Sequence, residues 1–470
     1  MQTVIDLFHY IQEGIDAAAV AIALIAILGV CFGIPAGKAL RGAFAAGAGF
    51  AGLALMTDLL GGTLVPAVRT IAENSGLSLE FIDLGEPPFA AIVSASEIGA
   101  WILPLGIAVN LLMLATNTTR TIDIDLLHYR YFAYTGAMVQ IASDSYALGL
   151  AAAAINMAVV LIIADRAAPR LEQYAGLRGV SLPHGFAAAF VPVAFVANRI
   201  VEYLPGLNRP KADMDRIQKR LGACGEPAFI GLALGFAVAL AAGLGAASVS
   251  ELISDSLSAA VRMSAVFALT PKIVAFLMEG IRPLADAAGA RFRKRSKKRG
   301  AVCIGVDAAC GLGHPLVLTC TPILTLLSVF LAVILPGNRM LPFDGLALIP
   351  CVLVAVLPVT GGAFFRSLLV GALTIAVMLY CGSGAAELFM RAAEGAAAET
   401  YANYAGSFTS LRAANPLSLI ASALGRLHGV GIAIMAVIAV FLAVENRGLI
   451  AAEAKKSAEK PCAGEEEERP

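Results

Sequence analysis

The chain has 470 residues, with 34 Lys and Arg against 34 Asp and Glu, so charge alone points to neither nucleic acid nor an acidic partner. Hydrophobic residues make up 59% and charged residues 14%, with a mean hydropathy of +0.80, whereas a soluble domain carries roughly a quarter charged residues. Several stretches reach the ~20 apolar residues of a helical span, which excludes a soluble enzyme on one anchor and defines a polytopic membrane protein.

Residues 1–15 alternate weakly and suit a short interfacial helix or a frayed terminus, and Met1 to Tyr10 lack the basic flank of a cleaved signal peptide. Apolar runs follow at about 16–37, 43–68, 88–116, 132–164, 183–205, 226–246, 257–279, 314–336, 341–360, 363–382 and 428–446. These 10–11 segments imply an all-α polytopic fold, with a membrane domain over 1–450 and a polar, disordered tail over 451–470.

The segment 183–205 is flanked by basic residues on both sides, with Arg166, Arg170 and Arg178 before it and Arg209, Lys211, Arg216, Lys219 and Arg220 after. A full crossing would put these on opposite faces. The segment also contains Pro183, Pro192, Asn198, Arg199 and Glu202, so a re-entrant or interfacial hairpin is expected. Segment 341–360 is interrupted in the same way by Pro342, Asp344, Gly345, Pro350 and Pro358. One broken segment in each half points to a transporter binding site. The longest basic run, from Arg291 to Arg299, places its loop in the cytoplasm against anionic lipid, and Arg447, Lys455 and Lys456 do the same for the carboxy terminus.

Gly47-Ala48-Gly49-Phe50-Ala51-Gly52 fits a dinucleotide-binding pattern but lies in an apolar helix with no strand before it, and Gly231 and Gly235 share one helix face. Both read as small-residue helix packing. No Walker A, HExxH or GxSxG pattern occurs, and the eight cysteines have neither paired spacing nor a histidine partner, so no metal, cofactor or disulfide framework is expected.

What remains are polar residues in apolar surroundings, where they are costly. His184, between Pro183 and Gly185, suits either a ligand contact or a helix-end cap, and Asp307 either a ligand contact or an N-cap. Gln140 and Asp144 stand four apart on one expected helix face, for hydroxyl recognition or for interhelical hydrogen bonding. Glu86 and Glu226 each stand in a Gly-Glu-Pro that opens an apolar run, where a carboxylate meets the helix dipole. Trp101, Tyr129, Tyr131 and Tyr134 are expected as interfacial aromatics.

The motifs Leu182-Pro183-His184-Gly185, Leu204-Pro205-Gly206-Leu207-Asn208, Gly225-Glu226-Pro227, Gly305-Val306-Asp307, Gly313-His314, Leu335-Pro336-Gly337-Asn338 and Leu341-Pro342-Phe343 occur in this order. Through them the chain, from about Ala18 to Arg447, resembles the galactitol-type IIC membrane component of the bacterial phosphoenolpyruvate-dependent sugar phosphotransferase system, in the ascorbate–galactitol superfamily. The resemblance implies a homodimeric inner-membrane permease with a scaffold domain for dimerisation and a mobile core domain holding re-entrant hairpins. It also implies elevator-type movement of a polyol, which a separate IIB protein, served by IIA, phosphorylates at the cytoplasmic face. It assigns substrate binding to Gln140, His184, Asp307 and Glu86, and gives this chain no phosphoryl-carrying residue and no cofactor. The chain departs from the family pattern at Glu86, where an aromatic residue usually follows Asp83-Leu84-Gly85. The competing function is an ion-coupled secondary transporter of a polyol or sugar acid on the same fold, with Asp144, Glu86 or Asp307 carrying the coupling charge. A structural or sensory membrane protein is the third.

Overall fold

The computed structural model describes residues 17–203, 220, 222–243, 248–295, 301–401 and 406–459. The expected interfacial helix at 1–15, the motif at 204–208, Lys297 to Arg299 and Cys462 lie outside them.

Glycine and proline cut the apolar chain into helices joined by very short strands. Helices α1 (Ala17–Cys31) and α2 (Ala36–Asn74) lead to strand β1 (Phe81–Asp83), then α3 (Glu86–Ala95) and α4 (Glu97–Ala115) to β2 (Thr121–Asp123). Helices α5 (Tyr129–Ser143) and α6 (Tyr146–Ala175) precede β3 (Val180–Ser181) and α7 (Val191–Tyr203). In the second half, α8 (Pro227–Ala242) and α9 (Val249–Arg295) lead to β4 (Cys303–Gly305), and α10 (Pro315–Ile334) to β5 (Met340–Leu341). Helices α11 (Ile349–Thr360) and α12 (Phe364–Tyr401) precede β6 (Phe408–Thr409), α13 (Pro416–Gly425) and α14 (His428–Glu459). Among the described residues, seven of these helices are long and apolar enough to cross a membrane, so the protein is an all-α, multi-pass membrane protein.

Local capping chemistry explains where the expected runs divide. The run at 88–116 is two helices, because Ser96 Oγ accepts the Gly99 N–H at 2.9 Å and starts a new one. The run at 132–164 is also two. Asp144 takes a left-handed conformation with φ 50°, its N–H closes α5 on the Gln140 carbonyl, and Ser145 caps α6. Gln140 and Asp144 therefore do not share a helix face, contrary to the expectation from their spacing. Tyr129, Tyr131 and Tyr134 are buried rather than interfacial, packed with Phe89, Phe132 and Phe186. Helix α13 had no counterpart among the expected segments: it is short, and Asn415 Oδ1 opens it by accepting the Leu417 and Ser418 N–H groups. Helix α14 continues to Glu459, into the segment read as tail.

The six strands form two three-stranded parallel sheets, ordered β5-β1-β6 and β2-β4-β3. Each half of the chain thus lends its first strand to the centre of one sheet and its other two to the edges of the second sheet. The registers correspond as well: Phe81 pairs with Met340 as Cys303 pairs with Thr121, and Ile82 with Phe408 as Ile304 with Val180. The helices leading into the central strands, α2 and α9, pack antiparallel, with Gly42 against Gly280, Gly49 against Leu277 and Gly52 against Ile273. The two halves are inverted repeats.

Small residues set these helix contacts, as the sequence implied. A Cβ on Gly47 would strike Ile22 of α1, and Gly231 and Gly235 lie against the Met263 and Ala259 carbonyls of α9. Helices α1, α2, α8 and α9 therefore pack as a block beside the two sheets. The segment 180–203 is a hairpin with both ends at one end of the bundle. Arg366 Nε donates to Asn198 Oδ1 at 2.5 Å, while Gly361, just before Arg366 in the chain, lies against the Tyr174 ring, just before β3.

Candidate functional site

In every strand the residue four positions beyond the first ends at the tip of a strand-to-helix turn: Gly85, Asp125, His184, Asp307, Asp344 and Arg412. Five of the six line a single cavity of about 600 Å³. The register makes Asp125 the counterpart of Asp344, His184 of Arg412, and Asp307 of Gly85. Gly85 has φ 71°, and a Cβ there would come within 2.7 Å of the Asp344 Cβ, so this sixth tip carries no side chain and the next residue, Glu86, supplies one. The opposite wall is helix α2, from Phe50 through Thr57 and Asp58 to Pro66, with Val20 and Ala21 of α1.

Buried hydrogen bonds hold the tips in place. Asp83, fully buried at the end of β1, accepts four backbone N–H groups. Its Oδ1 takes Gly85 and Leu411, each at 2.9 Å, and its Oδ2 takes Phe343 at 3.1 Å and Gly345 at 2.6 Å. One carboxylate thus fixes three tips, and no neutral group offers as many strong acceptor positions. Asn110 plays a similar part at β2, donating to the Thr121 carbonyl at 2.9 Å and accepting the Asp123 N–H at 3.2 Å. Asn415 Nδ2 donates to the Gly185 carbonyl at 2.9 Å, which ties a tip of one repeat to a tip of the other.

His184 Nδ1 accepts the Phe186 and Ala187 N–H groups, both at 3.2 Å. That network places the ring proton on Nε2 and leaves Nε2–H as a donor. Asp307 both caps and lines: its Oδ1 takes the Ala309 N–H at 2.5 Å and its Oδ2 lies 3.3 Å from His128 Nε2. His128, buried behind the wall, also lies 3.4 Å from Asp125 Oδ2. Ligand atoms of His128, His184 and Asp307 come within 4.8 Å of one another. A neutral His184 has no lone pair left for a cation, so the trio suits hydroxyl recognition better than metal binding.

On the other side, Glu86 joins two guanidiniums: Oε1 accepts from Arg130 Nη1 at 2.7 Å and Oε2 pairs with Arg412 Nε. Arg412 Nη1 donates to the Tyr131 hydroxyl at 2.8 Å, and Asp344 pairs with Arg69 of α2 at 2.6 Å. At the far end of β1, hydrogen bonds from Arg339 hold the exposed Glu80 carboxyl below the usual carboxylate range.

Of the residues singled out from sequence, His184 and Asp307 meet in the cavity wall, and Glu86 stands behind Arg412. Gln140 does not line the cavity: it is half-buried near the far end of α5, beside Gly149 of α6. The sequence reading missed Asp125, His128, Arg412 and the supporting Asp83. The faint signal for them is the recurrence of Phe-Ile-Asp-Leu-Gly, Thr-Ile-Asp-Ile-Asp, Cys-Ile-Gly-Val-Asp and Met-Leu-Pro-Phe-Asp, each ending at a tip.

Inverted repeats that meet through broken helices around a largely apolar cavity with charged residues at its tips define the protein as a membrane transporter by architecture. Residues 15–406 match the family described as the sugar-specific permease component of the PTS system. The chain belongs to that family. It is 33% identical over 358 residues to the PTS system galactitol-specific EIIC component of Escherichia coli (strain K12), covering 76% of this chain and 77% of that protein. It is 32% identical over 383 residues to a putative permease IIC component of the same organism, covering 82% and 86%.

Proposed function

We propose that the protein carries galactitol or a closely related polyol across the bacterial inner membrane, and that a separate IIB protein, recharged by IIA, phosphorylates the polyol at the cytoplasmic face. The observation that carries this reading is the convergence of five tips from both repeats on one cavity. At about 600 Å³ it lies in the range of small-molecule sites. A polyol needs both donors and acceptors along its length. Asp125, Asp307 and Asp344 accept hydrogen bonds from hydroxyls, while His184 Nε2–H and Arg412 donate. A buried group left unpaired costs about 1–3 kcal/mol, so the array favours ligands with many hydroxyls.

The two walls support an elevator-type movement. Helices α1, α2, α8 and α9 form the scaffold, and the tips with their hairpins form a core that slides against α2, which lines the opposite wall. Inverted repeats let a core exchange access between the two faces about one fixed site. The scaffold pairs two protomers. The basic end of α9 and the carboxy terminus face the cytoplasm, where IIB docks. This chain holds the polyol and excludes water, and the phosphoryl group comes from the cysteine of IIB. Binding of labelled galactitol to the purified protein in nanodiscs tests the site. Saturable binding that Asp307→Asn weakens about tenfold or more supports it. Equal binding by the two proteins contradicts it.

A further inference from the structure

His184 and Arg412, the tips of edge strands β3 and β6, occupy equivalent positions in the inverted repeats, yet one is a neutral donor and the other a cation. Arg412 lines the cavity, although nothing in its sequence context marks it. Its environment is built rather than incidental. Tyr131, Glu86 and the cap at Ser410, whose Oγ accepts the Arg412 N–H at 3.2 Å, fix it on three sides. Glu86 is shared with Arg130, so two guanidiniums face one carboxylate and the group keeps a net positive charge. In the same lining, Asp125 and Asp307 meet the single imidazole of His128. Asp58 and Asp344 line the same cavity, so its carboxylates outnumber Arg412.

We infer that Arg412 is a substrate-binding residue that receives a hydroxyl oxygen at one end of the ligand, and that Glu86, acting through it, sets the discrimination between neutral polyols and sugar acids. The inference rests on the reading of this cavity as the polyol site. With Glu86 ionised, its carboxylate answers part of the charge of the two guanidiniums, so a ligand carboxylate gains less there than it would without it. With Glu86 neutral, the charges of Arg412, which lines the cavity, and of Arg130 behind it are unanswered and an anionic end is favoured. Glu86 is thus a positioning residue, and its signature is a change in selectivity rather than in binding as such.

The test measures Kd for galactitol and for galactonate, its C1-oxidised analogue, with the full-length protein in nanodiscs. The variants are Arg412→Lys, Arg412→Gln and Glu86→Gln, with thermal unfolding of each. The wild type is expected to prefer galactitol. Arg412→Lys keeps the charge but loses the planar fork, and should weaken galactitol binding roughly tenfold; Arg412→Gln should weaken it further. Glu86→Gln should shift the galactonate-to-galactitol affinity ratio toward the acid by roughly tenfold or more. A folded Arg412→Lys with unchanged galactitol affinity, or a folded Glu86→Gln with an unchanged ratio, overturns the inference while wild-type galactitol binding stands. A wild type that binds neither probe overturns the polyol reading itself, and this inference with it.

Discussion

Asp83→Asn is the most discriminating change, because it keeps the shape of a side chain that does not line the cavity yet fixes three of the six tips. The carboxylate accepts four backbone N–H groups from Gly85, Leu411, Phe343 and Gly345 at 2.6–3.1 Å, two on each oxygen. An amide keeps one oxygen, so two N–H groups come to face an NH₂ donor and lose their acceptor. At about 1.5–3 kcal/mol for each bond to a charged group, the loss is about 3–6 kcal/mol. Thermal unfolding in nanodiscs should move down by roughly 5 °C or more. Galactitol affinity should fall at least about tenfold, since Asp344 and Arg412 lose their fixed positions. Asp123→Asn is the control: of the Asp123 carboxylate oxygens, Oδ1 accepts the Asp125 N–H at 3.2 Å and Oδ2 has no hydrogen-bond partner among the described residues. An Asp83→Asn protein with wild-type unfolding and wild-type affinity would refute the idea that this carboxylate organises the tips.

His184→Asn places an amide oxygen near the position of Nδ1 and so retains the turn, but removes the Nε2–H donor. Titration should show near-normal stability with galactitol binding about tenfold weaker. Gln140→Ala should leave galactitol affinity within about twofold, because the side chain is remote from the cavity, and a larger loss in the same titration would place Gln140 in the site. Gly280→Leu should destabilise the fold by about 1–3 kcal/mol in thermal unfolding, since the Gly42 carbonyl and Ala46 stand where the side chain would go. Cys351 lines the cavity, so galactitol should slow its modification by a small thiol reagent, read by peptide mass spectrometry, without protecting the exposed Cys31 and Cys224.

The membrane class, most helices and the broken segments at 183–205 and 341–360 were legible because hydropathy and proline placement report them directly. The sheets were not. Strands of two or three residues carry no period, and their pairing joins residues as distant as Phe81 and Met340. His184 stood out as a polar group between proline and glycine, and Asp307 as one in apolar surroundings two residues after Gly305. Arg412 did not, because Leu411-Arg412-Ala413 looks like an ordinary surface turn until β6 pairs with β1. The Gln140 and Asp144 pairing failed for a local reason: Ser143-Asp144-Ser145 is capping chemistry, which ends one helix and begins another where periodicity alone reads one span.

The central claim is transport of a polyol coupled to its phosphorylation. Its most direct test is uptake of labelled galactitol into vesicles holding this protein, with and without phosphorylated IIB, followed by chromatography of the internal product. The account predicts phosphorylated galactitol inside only when phosphorylated IIB is present. Unmodified galactitol accumulating under a proton or sodium gradient, indifferent to IIB, would contradict it and identify an ion-coupled transporter on the same fold.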